Sequence, residues 1–145
     1  DPFLSESAFE GVERVTSIDA GLKRTDFVSL HIPKADGVIL GAAELDLLPD
    51  HAVIVNTARG GTIDEVALVE HLKQNKIGAV GLDVLTEEPP SANNPLFQFD
   101  NVIITPHSAG LTEECAERMA LVCVQNVLDY FDGNLDPSLV VNGIL

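Results

Sequence analysis

Three side chains of different chemistry each follow a different apolar run. Arg59 comes after Val53–Val55, within Asn56-Thr57-Ala58-Arg59-Gly60-Gly61. Glu88 comes after Ala79–Leu82 and Asp83, within Glu87-Glu88-Pro89-Pro90. His107 follows a third run, within Thr105-Pro106-His107-Ser108-Ala109-Gly110. An Arg fork suits two-point binding of a carboxylate. A histidine titrates near neutral pH and can give or take a proton, and a carboxylate beside it can hold it in place. Each has a plain structural reading as well: a surface Arg paired with an acid, a solvated Glu pair, and a hydrogen-bonded turn histidine. Together they form a set suited to reducing a 2-keto acid or oxidising a 2-hydroxy acid. The other histidines, His31, His51 and His71, lack a comparable setting; His51 and His71 read as structural. No His/Cys/Asp cluster has metal-ligand spacing, and Ser108 is not in a G-x-S-x-G elbow, so a metal centre and a hydrolase triad are disfavoured.

For the set to meet, the three runs must end on one rim of one sheet. Phe27–Ile32, Ala52–Val55, Ala79–Leu82 and Val102–Thr105 are short, nearly continuous in apolar residues, and bounded by polar or Gly/Pro positions. Such runs read as strands buried on both faces, which favours a parallel sheet. In such sheets ligands gather at the carboxyl ends of the strands. Helical spacing separates the runs. Asp64 caps a predicted helix to about Asn75, with Val66, Leu68, Val69 and Leu72 as its buried face and Gly78 a stop able to take φ > 0. A shorter helix spans Ala42–Leu48. The longest runs from Thr112 to Phe131, with Thr112 as N-cap, an apolar stripe including Met119, Cys123 and Val127, and Gly133 as its end. In the opening stretch a turn of helix, a brief strand near Val12–Val15 and a helix over Ile18–Arg24 are expected. Alternating strands and helices predict an α/β fold, a partial Rossmann-like, doubly wound parallel sheet. It lacks the N-terminal Gly-rich strand-helix unit that cradles a pyrophosphate: no G-x-G-x-x-G occurs, and Gly60-Gly61 is too little for that role.

The chain has 145 residues with 8 Lys plus Arg against 23 Asp plus Glu, a formal charge of −15. This balance disfavours nucleic acid and anionic lipid as partners. At 46% apolar and 21% charged the composition is globular. No apolar run reaches the roughly 18 residues that span a bilayer. Cys115 and Cys123 share one helical segment, too far apart along its axis for a disulfide, and read as reduced thiols in a cytoplasmic protein. The chain begins Asp1-Pro2-Phe3 without a Met, which reads as the start of an excised piece.

Four segments in register resemble the NAD-dependent D-isomer-specific 2-hydroxyacid dehydrogenases. They are Asp26-Phe27-Val28-Ser29-Leu30-His31-Ile32-Pro33, Asn56-Thr57-Ala58-Arg59-Gly60-Gly61, Gly81-Leu82-Asp83-Val84 with Glu87-Glu88-Pro89, and Thr105-Pro106-His107. Asp1-Pro2-Phe3-Leu4 and Gly11-Val12-Glu13-Arg14 are most similar to the branch holding the C-terminal-binding-protein corepressors. The resemblance implies NAD as cofactor, a small 2-keto or 2-hydroxy acid as substrate and a homodimeric parent. It implies that Arg59 binds the substrate carboxylate, His107 is the acid/base and Glu88 keeps that histidine protonated. Asp1 matches the acid that binds the adenosine ribose; Ile32, Pro33, Thr57, Ala58, Arg59, Asp83, His107, Ala109 and Gly110 match positions lining the cofactor. Lys34-Ala35-Asp36-Gly37 and Gly110-Leu111 depart from the family pattern. Residues 1–111 are then expected to be the C-terminal part of an NAD-binding domain, and 112–145 a long helix and tail leading back to a substrate domain. Such a piece alone is expected to bind NAD weakly or not at all and not to turn over. The alternative is an NAD-sensing, corepressor-like binding protein with a dehydrogenase fold.

Overall fold

The computed structural model describes residues 5–33 and 37–141. The chain divides into two compact units, residues 1–107 and 108–145.

The first unit is built on four parallel strands: β1 (Phe27–Leu30), β2 (Val53–Asn56), β3 (Ala79–Leu82) and β4 (Val102–Ile104), lying side by side in chain order. In register, Leu30, Asn56, Leu82 and Ile104 form one row across the sheet. All four carboxyl ends therefore lie on one rim. Three helices accompany the strands: α1 (Ile18–Leu22), α2 (Ala42–Leu45) and α3 (Glu65–Lys73). The core lies on one face, where Leu30, Ile54, Val80 and Leu82 pack with Leu45 of α2 and Leu68 of α3.

The expectation of strands buried on both faces is corrected. The opposite face carries Phe27, Val55 and Ile103, and Ile103 is 70% exposed. The helices that bury apolar residues in this unit all do so against the first face. Apolarity on both sides of a strand shows what it can bury, not what covers it.

Asp64 caps α3 through bonds accepted from the Val66 and Ala67 amides at 3.0 and 3.1 Å, as its type predicts. The face that α3 buries is Ala67, Leu68, Val69, His71 and Leu72. Val66 is not on it; it is 76% exposed. His71 takes its place because both ring nitrogens find partners: Nδ1–H donates to the Ala67 carbonyl at 2.8 Å, and Nε2 lies 3.2 Å from Asp46 Oδ1. The helix stops through Asn75, which adopts φ 55, not through Gly78. Gly78 is needed for space: a Cβ there would lie 2.5 Å from the His51 carbonyl oxygen.

The first described turn is a 3-10 segment, Glu6–Phe9, but Val12–Val15 forms no strand. Arg24 pairs with Glu13 at 2.8 Å there, so side-chain bonding holds this stretch and no sheet neighbour does. The helices α1 and α2 are shorter than the spacing predicts, each closing in turns.

In the second unit, Thr112 caps α4 (Glu113–Phe131) through the Cys115 amide at 3.1 Å, and Gly133 ends it at φ 72. None of its residues is buried. Cys115 and Cys123 are both free thiols. Among the described residues no helix is long and apolar enough to cross a membrane.

Candidate active site

β2 runs into a tight turn that carries Arg59. Asn56, the last residue of the strand, accepts a bond from the Ala58 amide at 3.0 Å, an Asx-type turn. The Arg59 side chain is exposed at the rim, and its guanidinium donates to the Ala58 carbonyl at 2.6 Å. Thr57 is exposed beside it, while Ala58 is buried.

The next residue binds two loops together. A Cβ on Gly60 would overlap the Leu85 carbonyl, so the turn after β2 lies directly on the backbone of the loop after β3. That loop is held in turn by Glu88, whose Oε1 accepts from the Leu85 amide at 2.9 Å. The other carboxylate oxygen, Oε2, lies 2.8 Å from His107 Nδ1. Because an ionised carboxylate only accepts, Nδ1 carries the proton and donates, which leaves Nε2 for another partner.

His107 follows β4 and adopts φ 53, a left-handed conformation uncommon outside glycine. Such conformations persist only where the surroundings over-determine them. Here the His107 amide donates to the Thr105 carbonyl at 3.0 Å, and the ring is tied to Glu88.

A cavity of about 330 Å3 opens beside this pair, with Asp83, Leu85, Phe97, Ile104 and Thr105 also in its wall. Asp83 is 5% exposed and accepts a bond from the Thr105 hydroxyl. A buried acceptor in a largely apolar wall is a placed polar group of the kind that orients a bound ligand.

The electrostatics follow from the contacts. The bond from His107 foremost, and then the Leu85 amide, hold the Glu88 carboxyl below its ordinary value of 4.5; the negative charge of Asp83 acts the other way. A depressed folded-state value stabilises the fold at pH above 4.5, and that contribution is lost as pH falls through the lower folded value. The expected result is a difference in unfolding midpoint between wild type and Glu88→Gln that shrinks as pH falls below 4.5. Denaturant titrations across that range check it.

Ile32 and Pro33 stand just past β1 on the same rim, with His31 Nε2 bonded to the Ser29 hydroxyl at 2.7 Å. Ala109 and Gly110 belong to the second unit, in the turn before α4. Asp1 lies outside the described residues, as do Lys34, Ala35 and Asp36. The sequence reading did not single out Thr62, whose buried hydroxyl bonds the Arg59 carbonyl at 2.7 Å. A polar residue at a strand end with a hydroxyl shortly after it was the available signal.

Residues 1–109 match the family model of the D-isomer specific 2-hydroxyacid dehydrogenase, NAD binding domain. The chain belongs to this family. Among the curated dehydrogenase relatives, D-3-phosphoglycerate dehydrogenase of Methanocaldococcus jannaschii is 42% identical over 144 residues, 97% of this chain and 27% of that protein. Glyoxylate reductase of Aeropyrum pernix is 39% identical over 126 residues, 86% of this chain and 38% of that protein. Among solved structures, the NAD-complexed D-isomer specific 2-hydroxyacid dehydrogenase of Lactobacillus delbrueckii ssp. bulgaricus superposes with a TM-score of 0.85 at 31% identity, over 95% of this chain and 47% of that one. This dehydrogenase-family chain thus spans less than half the length of each of these three relatives. The partial Rossmann-like parallel sheet agrees with that kinship.

Proposed function

We propose that the protein containing this chain is an NAD-dependent dehydrogenase that interconverts a small 2-keto acid and the D-2-hydroxy acid. The observation that carries this reading is the 2.8 Å bond between Glu88 and His107 at the rim where the Arg59 turn rests against the Glu88 loop. Arg59 holds the substrate carboxylate. His107 gives a proton from Nε2 to the C2 carbonyl oxygen as the alcohol forms, and takes it back in the reverse direction. Glu88 orients the ring for that transfer. When bound, NADH supplies the hydride that C2 accepts.

The residues present fit the nicotinamide end of the cofactor. Asp83 offers an acceptor for the carboxamide, and Leu85 and Ile104 offer apolar surface. Ile32, Pro33, Thr57 and Ala58 complete the cofactor lining on this reading. Residues 1–111 form the C-terminal part of the NAD-binding domain, and 112–145 lead to a substrate domain. The parent is a homodimer of the cytoplasm.

The test is NADH oxidation by the full-length protein across pyruvate, hydroxypyruvate and a branched 2-keto acid, followed by chiral analysis of the product. The expected outcome is turnover of at least one acid with only the D-hydroxy acid formed. No turnover, or an L product, overturns the reading.

A further inference from the structure

On that reading of Arg59, we propose that Asn56 and Thr62 are positioning residues: a buried polar clamp that aims the guanidinium at the substrate carboxylate. Both are 2% exposed. Asn56 Nδ2 donates to the Arg59 carbonyl at 3.1 Å and to Thr62 Oγ1 at 3.0 Å. Asn56 Oδ1 accepts from the Ala58 amide at 3.0 Å. The Thr62 hydroxyl donates to the same Arg59 carbonyl at 2.7 Å.

The Thr57–Ala58 peptide and the Arg59–Gly60 peptide, on either side of the residue pair that carries the guanidinium, are therefore both pinned from inside the fold. A carbonyl at a solvent-facing turn is ordinarily satisfied by water. This one receives two buried donors, which fix its peptide plane and hence the direction in which the Arg59 side chain departs. Two-point recognition of a carboxylate depends on that direction, since the fork must meet both oxygens nearly in plane.

The placement of Asn56 in the sheet makes the same point from the energetic side. Its row across the strands is Leu30, Asn56, Leu82 and Ile104. The other three are apolar, so packing at that position calls for another apolar side chain. A buried amide is costly unless its bonding capacity is used. Here it is used on the turn: its oxygen binds the Ala58 amide, and its nitrogen binds the Arg59 carbonyl and Thr62, which binds Arg59 in its turn.

The experiment uses the full-length protein with hydroxypyruvate and glyoxylate, and measures NADH affinity separately by fluorescence. Thr62→Val keeps the shape and removes the hydroxyl; Thr62→Ser keeps the hydroxyl. Thr62→Val is expected to raise the keto-acid KM and lower kcat, each by about tenfold, with NADH affinity within about twofold of wild type. Thr62→Ser is expected to restore both constants to within about threefold. In an Arg59→Lys background, Thr62→Val should add less than about twofold, because the group it aims is gone. Asn56→Asp, which keeps the volume but turns both donor bonds into acceptor contacts, is read in the same way if Thr62→Val does not fold.

Wild-type KM and kcat in Thr62→Val and Asn56→Asp, or an undiminished effect on top of Arg59→Lys, overturns the clamp while leaving Arg59 in its role. A wild-type keto-acid KM in Arg59→Lys alone overturns the role of Arg59, and the purpose of the clamp with it.

Discussion

Replacing His107 by Asn in the full-length protein is expected to lower kcat for keto-acid reduction by about 10²–10⁴-fold, with NADH binding and the unfolding midpoint close to wild type. Asn is chosen because the backbone at this position has φ 53, which Asn accommodates more readily than most residues. Its amide can donate to Glu88 Oε2, which His107 Nδ1 approaches to 2.8 Å, so the carboxylate keeps a partner. What Asn lacks is a group that exchanges a proton near neutral pH. The variant therefore separates proton transfer from the architecture that presents it. Steady-state kinetics and a denaturation curve on the same preparation check both halves. A kcat within about tenfold of wild type would remove His107 from the proton-transfer role.

Gly60→Ala is expected to cost about 1–3 kcal/mol of stability and to lower kcat/KM as well. The new methyl would overlap the Leu85 carbonyl, and Thr86 N would lie 3.0 Å from it. Both neighbours are backbone, so no side chain can rotate away. The segment that must move is the one whose Leu85 amide binds Glu88 at 2.9 Å and whose Thr86 amide binds Glu65 at 2.6 Å. Displacing it shifts Glu88 relative to both Arg59 and His107. Gly61→Ala is the internal comparison. Gly61 has φ 77 and no heavy atom within 4 Å of a Cβ, so its cost is conformational, about 1–2 kcal/mol, and leaves the Leu85 loop in place. Denaturant unfolding and kinetics of the two variants side by side decide it. Equal kcat/KM in both would mean that the contact at Gly60 does not transmit to the catalytic rim.

Much of this arrangement was legible before any coordinate. The strand positions hold to within a residue or two at each end, because short apolar runs bounded by polar and Gly/Pro positions have few alternatives at their length. Asp64 and Thr112 were readable as caps because a side-chain oxygen there meets amides the helix leaves unbonded. The errors share a cause. Val66 lies within the helical spacing yet is exposed, and buried His71 was assigned by type to a role without a face. Apolarity along one strand or helix cannot say which side its neighbours occupy. Gly78 looked like a conformational stop and is instead a point of close approach. Sequence carries the absence of a side chain but not what lies opposite it.

Residue types and their order determined the family, the parallel sheet and the identity of a cation, an acid and a histidine that follow successive strands. Those properties are local, set by side-chain chemistry and by periodicity within a dozen residues. The meeting of Glu88 with His107, the seating of the Arg59 turn on the Leu85 backbone and the clamp of Asn56 and Thr62 were decided only by tertiary structure. Each depends on strand register and on loops packing at sub-ångström tolerance, and distances between segments far apart in the chain leave no periodic trace along it.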